Sequence, residues 1–103
     1  MKRIYTTEVF RRWFRALQDR QARRRIQARL ELHGHCGDCK PVASGVFEMR
    51  IHCGPGYRVY YMQRGNEIIV LLVGGNKASQ KRDIARATEL AREVNGNDEG
   101  IRD

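Results

Sequence analysis

Apolar residues along this chain change their spacing three times, and each change marks a different kind of element. Phe10, Trp13, Phe14 and Leu17 recur at intervals of three and four. That spacing lays one apolar stripe along a helix, with Thr6 or Thr7 as its N-cap and Arg11, Arg12 and Arg15 off the stripe. Ala22, Ile26 and Leu30, extended by His33, repeat the pattern behind Asp19. They predict a second helix whose outer surface carries Arg20, Arg23, Arg24, Arg25 and Arg29. The short connection between the two predicts a helical hairpin. Ahead of them, Lys2 to Tyr5 reads as a short edge strand.

The period then falls to two. Phe47, Met49 and Ile51 alternate with Glu48, Arg50 and His52, so Val46 to Cys53 reads as a strand with one buried and one polar face. Gly54-Pro55-Gly56 turns the chain into a second strand, Tyr57 to Gln63. Arg64-Gly65-Asn66 predicts a hairpin turn into a third, Glu67 to Val73. The continuous run Ile68 to Val73 belongs inside a sheet, with helices over one side. Gly34, Gly37 and Pro41 make His33 to Ser44 a loop. Ser79 is the expected cap of a last helix, with Ile84, Ala87, Leu90, Ala91 and Val94 inward. The expected architecture is α+β: an N-terminal strand and two-helix hairpin on a small, curved, mostly antiparallel sheet, closed by a C-terminal helix. Residues 1–94 form a single domain in this reading, and the polar residues 95–103 a flexible tail.

Charge narrows the partners. Twenty basic against 12 acidic residues leave a net charge of +8 in 103 residues. A field of that sign and size favours polyanions, nucleic acid first. Most of the cations are arginines, whose planar fork matches phosphate. No apolar run approaches the roughly 20 residues that span a bilayer, and the start of the chain lacks the apolar core of a signal peptide. No membrane association and a cytoplasmic location follow as expectations. Cys36, Cys39 and Cys53 are odd in number, which points to reduced thiols. The Cys36–Cys39 pair with His33 and His35 lacks the second cysteine pair that marks a zinc site, so no metal is expected.

The segments with the most chemistry are ordered along the chain: Gly37-Asp38-Cys39-Lys40, Gly45 to Ile51, Gly54-Pro55-Gly56-Tyr57-Arg58-Val59-Tyr60-Tyr61, Leu71 to Lys77, and Gln80 to Ile84. As a set they resemble toxins of bacterial type II toxin–antitoxin systems in the RelE/ParE superfamily, and most closely the HigB-like addiction module killer (Gp49-like) group. The resemblance extends from the first helix to about Val94. It implies a cognate antitoxin, commonly with a helix-turn-helix domain, through which alone operator DNA is contacted. In the RelE and HigB branch it implies cleavage of messenger RNA on the ribosome, without cofactor. In the ParE branch the same fold poisons DNA gyrase. A degenerate, non-toxic antitoxin-binding copy is the third reading.

Metal-free RNA cleavage needs a base for the 2′-hydroxyl, cations for the phosphate and an acid for the leaving oxygen. Arg58 follows the Gly-Tyr pair that precedes a catalytic arginine in RelE-like toxins. Arg50 lies on the preceding strand. His52 carries an imidazole, a side chain suited to act as base or acid, and is a candidate for either. Lys77 and Lys81, one helical turn apart, complete the candidate catalytic set, and Asp83 is a further candidate base. Tyr57 and Tyr60 are candidates for stacking on RNA bases, and Arg23 and Arg24 for contacts to its backbone. Tyr57 and Tyr61 point away from Tyr60 by pleat alternation, so at least one is core. Some RelE toxins carry a catalytic tyrosine in the last helix; here that region reads Gln80-Lys81-Arg82-Asp83.

Overall fold

The computed structural model describes residues 3–31, 38–65 and 67–96. Strand β1 (Arg3–Thr6) runs into α1 (Glu8–Ala16), where Thr7 caps the helix by accepting a hydrogen bond from the Phe10 amide. The turn after α1 ends at Asp19, which caps α2 (Arg20–Glu31) through the Ala22 amide at 3.0 Å. Both helices lay their apolar stripes on the same sheet face. Phe10, Ile26, Met49, Ile51, Val59, Tyr61 and Leu71 form that core.

The sheet has five strands in the order β1-β5-β4-β3-β2. Strands β3 (Val46–Ile51), β4 (Tyr57–Arg64) and β5 (Ile68–Gly75) form an antiparallel meander. β1 joins β5 in parallel at one edge. β2 (Cys39–Ala43) pairs antiparallel with β3 at the other. This last strand corrects the expectation of a loop from His33 to Ser44. Pro41 concealed it, since proline offers no amide to a ladder. An edge strand tolerates that loss, and the register slips between Pro41 and Ala43.

Helix α3 (Gln80–Gly96) packs on the opposite face from α1 and α2, through Ala87, Leu90, Ala91 and Val94 against Val46, Tyr60, Met62, Val70 and Leu72. The sheet is therefore covered on both sides, not one. β5 needs apolar residues on both faces for this reason. Val70 and Leu72 serve α3, and Ile69 and Leu71 serve the hairpin. A 3-10 turn, Lys77–Ser79, capped by Asn76, leads into α3, which begins directly after Ser79. The Asn76 side chain accepts from the amides of Ala78 and Ser79 while the Ser79 hydroxyl accepts from the Asn76 amide, a reciprocal capping box. α3 continues to Gly96, two residues past the expected end. Residues 97–103 of the expected tail, His33, Asn66 of the hairpin turn and most of the CxxC segment lie outside the described residues. No described helix is long and apolar enough to cross a membrane.

Cys39 is disulfide-bonded and Cys53 is a free thiol. The expectation of reduced thiols fails at Cys39.

Candidate functional site

The β3–β4 connection is built on glycine. Gly54 and Gly56 hold φ of 55° and 79°, a left-handed conformation that strains any residue with a Cβ. The turn sets Arg50 directly opposite Arg58 and Glu48 opposite Tyr60. Two arginines facing each other across a ladder repel. Glu48 offsets that repulsion. Its Oε1 lies 3.1 Å from Arg50 Nε, and its Oε2 lies 3.5 Å from Arg58 Nε. Gln80 Nε2 donates to Oε2 at 2.8 Å from the first turn of α3.

Glu48 is fully buried, which overturns its reading as part of a solvated strand face. Alternation placed it correctly opposite Phe47 and Met49, but that face is roofed by α3. Burial alone works to raise its pKa; hydrogen bonds from Gln80 and Arg50 and the Arg58 charge outweigh it, so the carboxyl titrates below its ordinary value. Tyr60 is also fully buried, and its hydroxyl makes no hydrogen bond. Burial and the Glu48 charge drive its pKa well above the ordinary phenol range. Tyr60 therefore meets no RNA base in this structure.

Arg58 is only 8% exposed, and its Nη1 donates to the Gly56 carbonyl at 2.7 Å. It is a buried cation with one long ion pair, rather than the open phosphate contact expected of it. Arg50 is a third exposed at its side chain. Among the described residues its two Nη nitrogens carry no hydrogen bond. Lys77 is exposed and passes close by. A Cβ built on Gly56 would sit 3.2 Å from Arg58 Nη1 and 3.7 Å from Lys77 Cβ, so the turn, the arginine and the lysine stem converge. Lys81 is exposed on the first turn of α3 and borders a trough with Trp13, Asn76 and Arg82.

His52 does not join this cluster. Its Nε2 is hydrogen-bonded to the Asp38 carboxylate at the start of β2, on the far side of β3 from β4 and Lys77. That bond holds the Asp38 carboxyl below its usual pKa range. Asp83 is nearly buried and accepts from the Ser79 hydroxyl at 2.5 Å. Both side chains lie where a Cβ on Gly75 would fall, so Gly75 makes room for this start of α3.

The remaining candidates lie on the hairpin face. Tyr57 is half-buried, edge-on to Trp13 at 6.3 Å, and burial and Asp19 raise its pKa. Arg23 lies 4.7 Å over the Phe14 ring and donates to the Phe14 and Leu17 carbonyls, closing the end of α1. It is a fastening of the helical hairpin. Arg24 is exposed. Arg25 and Arg29, read as outer surface, reach back to the carbonyls of His52 and Arg50 at 2.6 and 2.8 Å. Sequence reasoning missed Gln80 and the burial of Glu48. The signal was an acid two residues before one arginine and a strand away from a second.

The arrangement can bind a phosphodiester: a residual positive charge, two unbonded Nη groups on Arg50 and an exposed lysine rising beside the glycine turn. Among the described residues, no group of three or more His, Cys, Asp and Glu is placed to hold a metal ion.

Two comparisons place the chain. A protein of Haemophilus influenzae (strain Rd) that carries the description "Uncharacterized protein" is 41% identical over 93 residues, covering 88% of this chain and 94% of that protein. The family described as Phage derived protein Gp49-like (DUF891) matches residues 12–93. The match runs from within α1 to near the end of α3 and takes in the whole Glu48 cluster, so the chain belongs to the Gp49-like family, which is associated with toxin–antitoxin modules.

Proposed function

We propose that the chain is the toxin of a toxin–antitoxin pair and cleaves messenger RNA on the ribosome without a metal. The supporting observation is the arginine pair Arg50–Arg58, held apart and oriented by one buried carboxylate, with Lys77 beside it. In this reading the Arg50 Nη groups and the Lys77 ammonium grip the scissile phosphate. Arg58 stands behind them as a fixed charge, and Lys81 holds the next phosphate. The 2′-oxygen attacks phosphorus as its proton passes to a base. The bond to the 5′-oxygen breaks, and that oxygen takes up a proton, leaving a 2′,3′-cyclic phosphate and a free 5′-hydroxyl. His52, oriented by Asp38, is the exposed candidate for proton transfer. A small helix-turn-helix antitoxin is the proposed partner, and operator DNA is contacted only through that complex.

Controlled induction in bacteria tests the reading. Growth arrest with new transcript ends inside coding regions, both lost in Arg50→Ala, is the expected result. Arrest with intact transcripts and broken DNA would reject it in favour of a gyrase poison, and harmless induction in favour of a degenerate copy.

A further inference from the structure

Glu48 is the one fully buried acid among the described residues, and the cleavage chemistry does not use it. A buried carboxylate held by two arginines commonly does no more than close a polar gap. Here its geometry is directional. Both arginines meet it through Nε, at 3.1 and 3.5 Å. The Arg50 contact is a hydrogen bond, which fixes the plane of its guanidinium, whereas Arg58 Nε lies within ion-pair reach of the carboxylate without a hydrogen bond. Arg58 spends Nη1 on the Gly56 carbonyl, while Arg50 keeps both Nη groups unbonded among the described residues. Gln80 brings the start of α3 onto the same carboxylate at 2.8 Å, within a turn of Lys77 and Lys81.

From this geometry we infer that Glu48 is a positioning residue: it holds Arg50 and Arg58 as one phosphate-binding unit and registers the start of α3, with Lys81 and the preceding Lys77, over them. The inference deepens the proposed RNA-cleaving reading and rests on it for the identity of the ligand. It makes a prediction opposite in sign to plain electrostatics. Removing a negative charge from a basic protein strengthens binding to RNA if charge alone matters. If Glu48 orients the arginines, removing its charge weakens binding.

The test uses the full chain and a single-stranded oligoribonucleotide with 2′-O-methyl groups, which binds but cannot be cleaved. Binding is read by fluorescence anisotropy for the wild type, Glu48→Gln and Glu48→Asp, with circular dichroism confirming the fold. We expect Glu48→Gln to bind at least tenfold more weakly. Glu48→Asp, which keeps the charge on a shorter stem, should recover part of that loss. Equal or tighter binding by folded Glu48→Gln would overturn the inference. If Glu48→Gln does not fold, NMR of the Arg50 and Arg58 Nε–H groups in the wild type decides. Slowly exchanging signals that shift together as the oligonucleotide is added support the inference, and signals that do not respond overturn it. None of these readouts requires turnover, so a wild type that binds but never cuts rejects the nuclease reading and leaves this result standing.

Discussion

Thr7 Oγ1 donates a 2.6 Å hydrogen bond to the Leu72 carbonyl, 65 residues away, while accepting the Phe10 amide at 3.0 Å. One buried hydroxyl both caps α1 and ties it to β5 at the point where β1 ends. Helix caps of this type are worth about 1 kcal/mol, and leaving a buried carbonyl without its donor adds about 1–3 kcal/mol. Thr7→Val should therefore lower unfolding stability by about 2–4 kcal/mol in urea titrations, with Thr7→Ser close to wild type. A wild-type midpoint for Thr7→Val would show that the bond contributes nothing net.

Gly74 and Trp13 form a second such tie. A Cβ on Gly74 would fall 2.0 Å from Trp13 Cε3, inside the indole ring. Gly74→Ala should force the ring off β5 and destabilise the protein by about 1–3 kcal/mol. Trp13 is the only tryptophan, so its fluorescence reports the displacement directly. The combination of Trp13→Leu with Gly74→Ala should cost less than the two single changes added. Strict additivity would mean that the two positions do not interact.

Tyr60 sets the alkaline limit. Its folded pKa is raised by burial and by Glu48, so as pH rises the unfolded state loses its proton first. The resulting stability is intact below about 10, the unfolded value, and is lost as pH climbs from there toward the folded value. Burial raises Tyr57 and Tyr61 in the same direction. Alkaline unfolding should therefore begin near pH ~10, and Tyr60→Phe should move its midpoint upward while leaving neutral stability nearly unchanged. Melts followed across pH 8–12 by circular dichroism check this; an unmoved midpoint would exclude Tyr60 as the cause.

Lys77 and Lys81 are exposed, so their removal separates binding from folding. Lys77→Ala and Lys81→Ala should each leave the melting temperature unchanged. Each should also reduce the slope of log affinity for RNA against log salt by about 1. An unchanged slope in both would place the RNA elsewhere on the surface.

The helices and the β3–β5 meander were legible because their residues carry strong periodic signals. Phe10, Trp13 and Phe14 allow only one helical face, and Val70 to Leu72 require burial on both sides. β2 was hidden because Pro41 and its neighbours resemble a loop, and only pairing with Met49 to Phe47 makes them a strand. At the site, the Arg50 and Arg58 positions were legible, but their accessibility was not. Alternation assigns Glu48 to the face opposite Met49 without saying what covers that face. Only the packing of α3 decides that Glu48 and Arg58 are buried and Arg50 is the open cation. Arg23 shows the same limit: a charge on a helix surface became a fastening because Phe14 and the end of α1 happened to lie beneath it.

The order of the strands also sets a timetable for synthesis. β1 is made first, yet its partner β5 begins only at Ile68, and Gln80 arrives later still. Neither the sheet edge nor the roof over Glu48 exists until nearly all of the protein has left the ribosome. A chain that stops short of α3 therefore leaves Glu48 without its roof and without the Gln80 hydrogen bond.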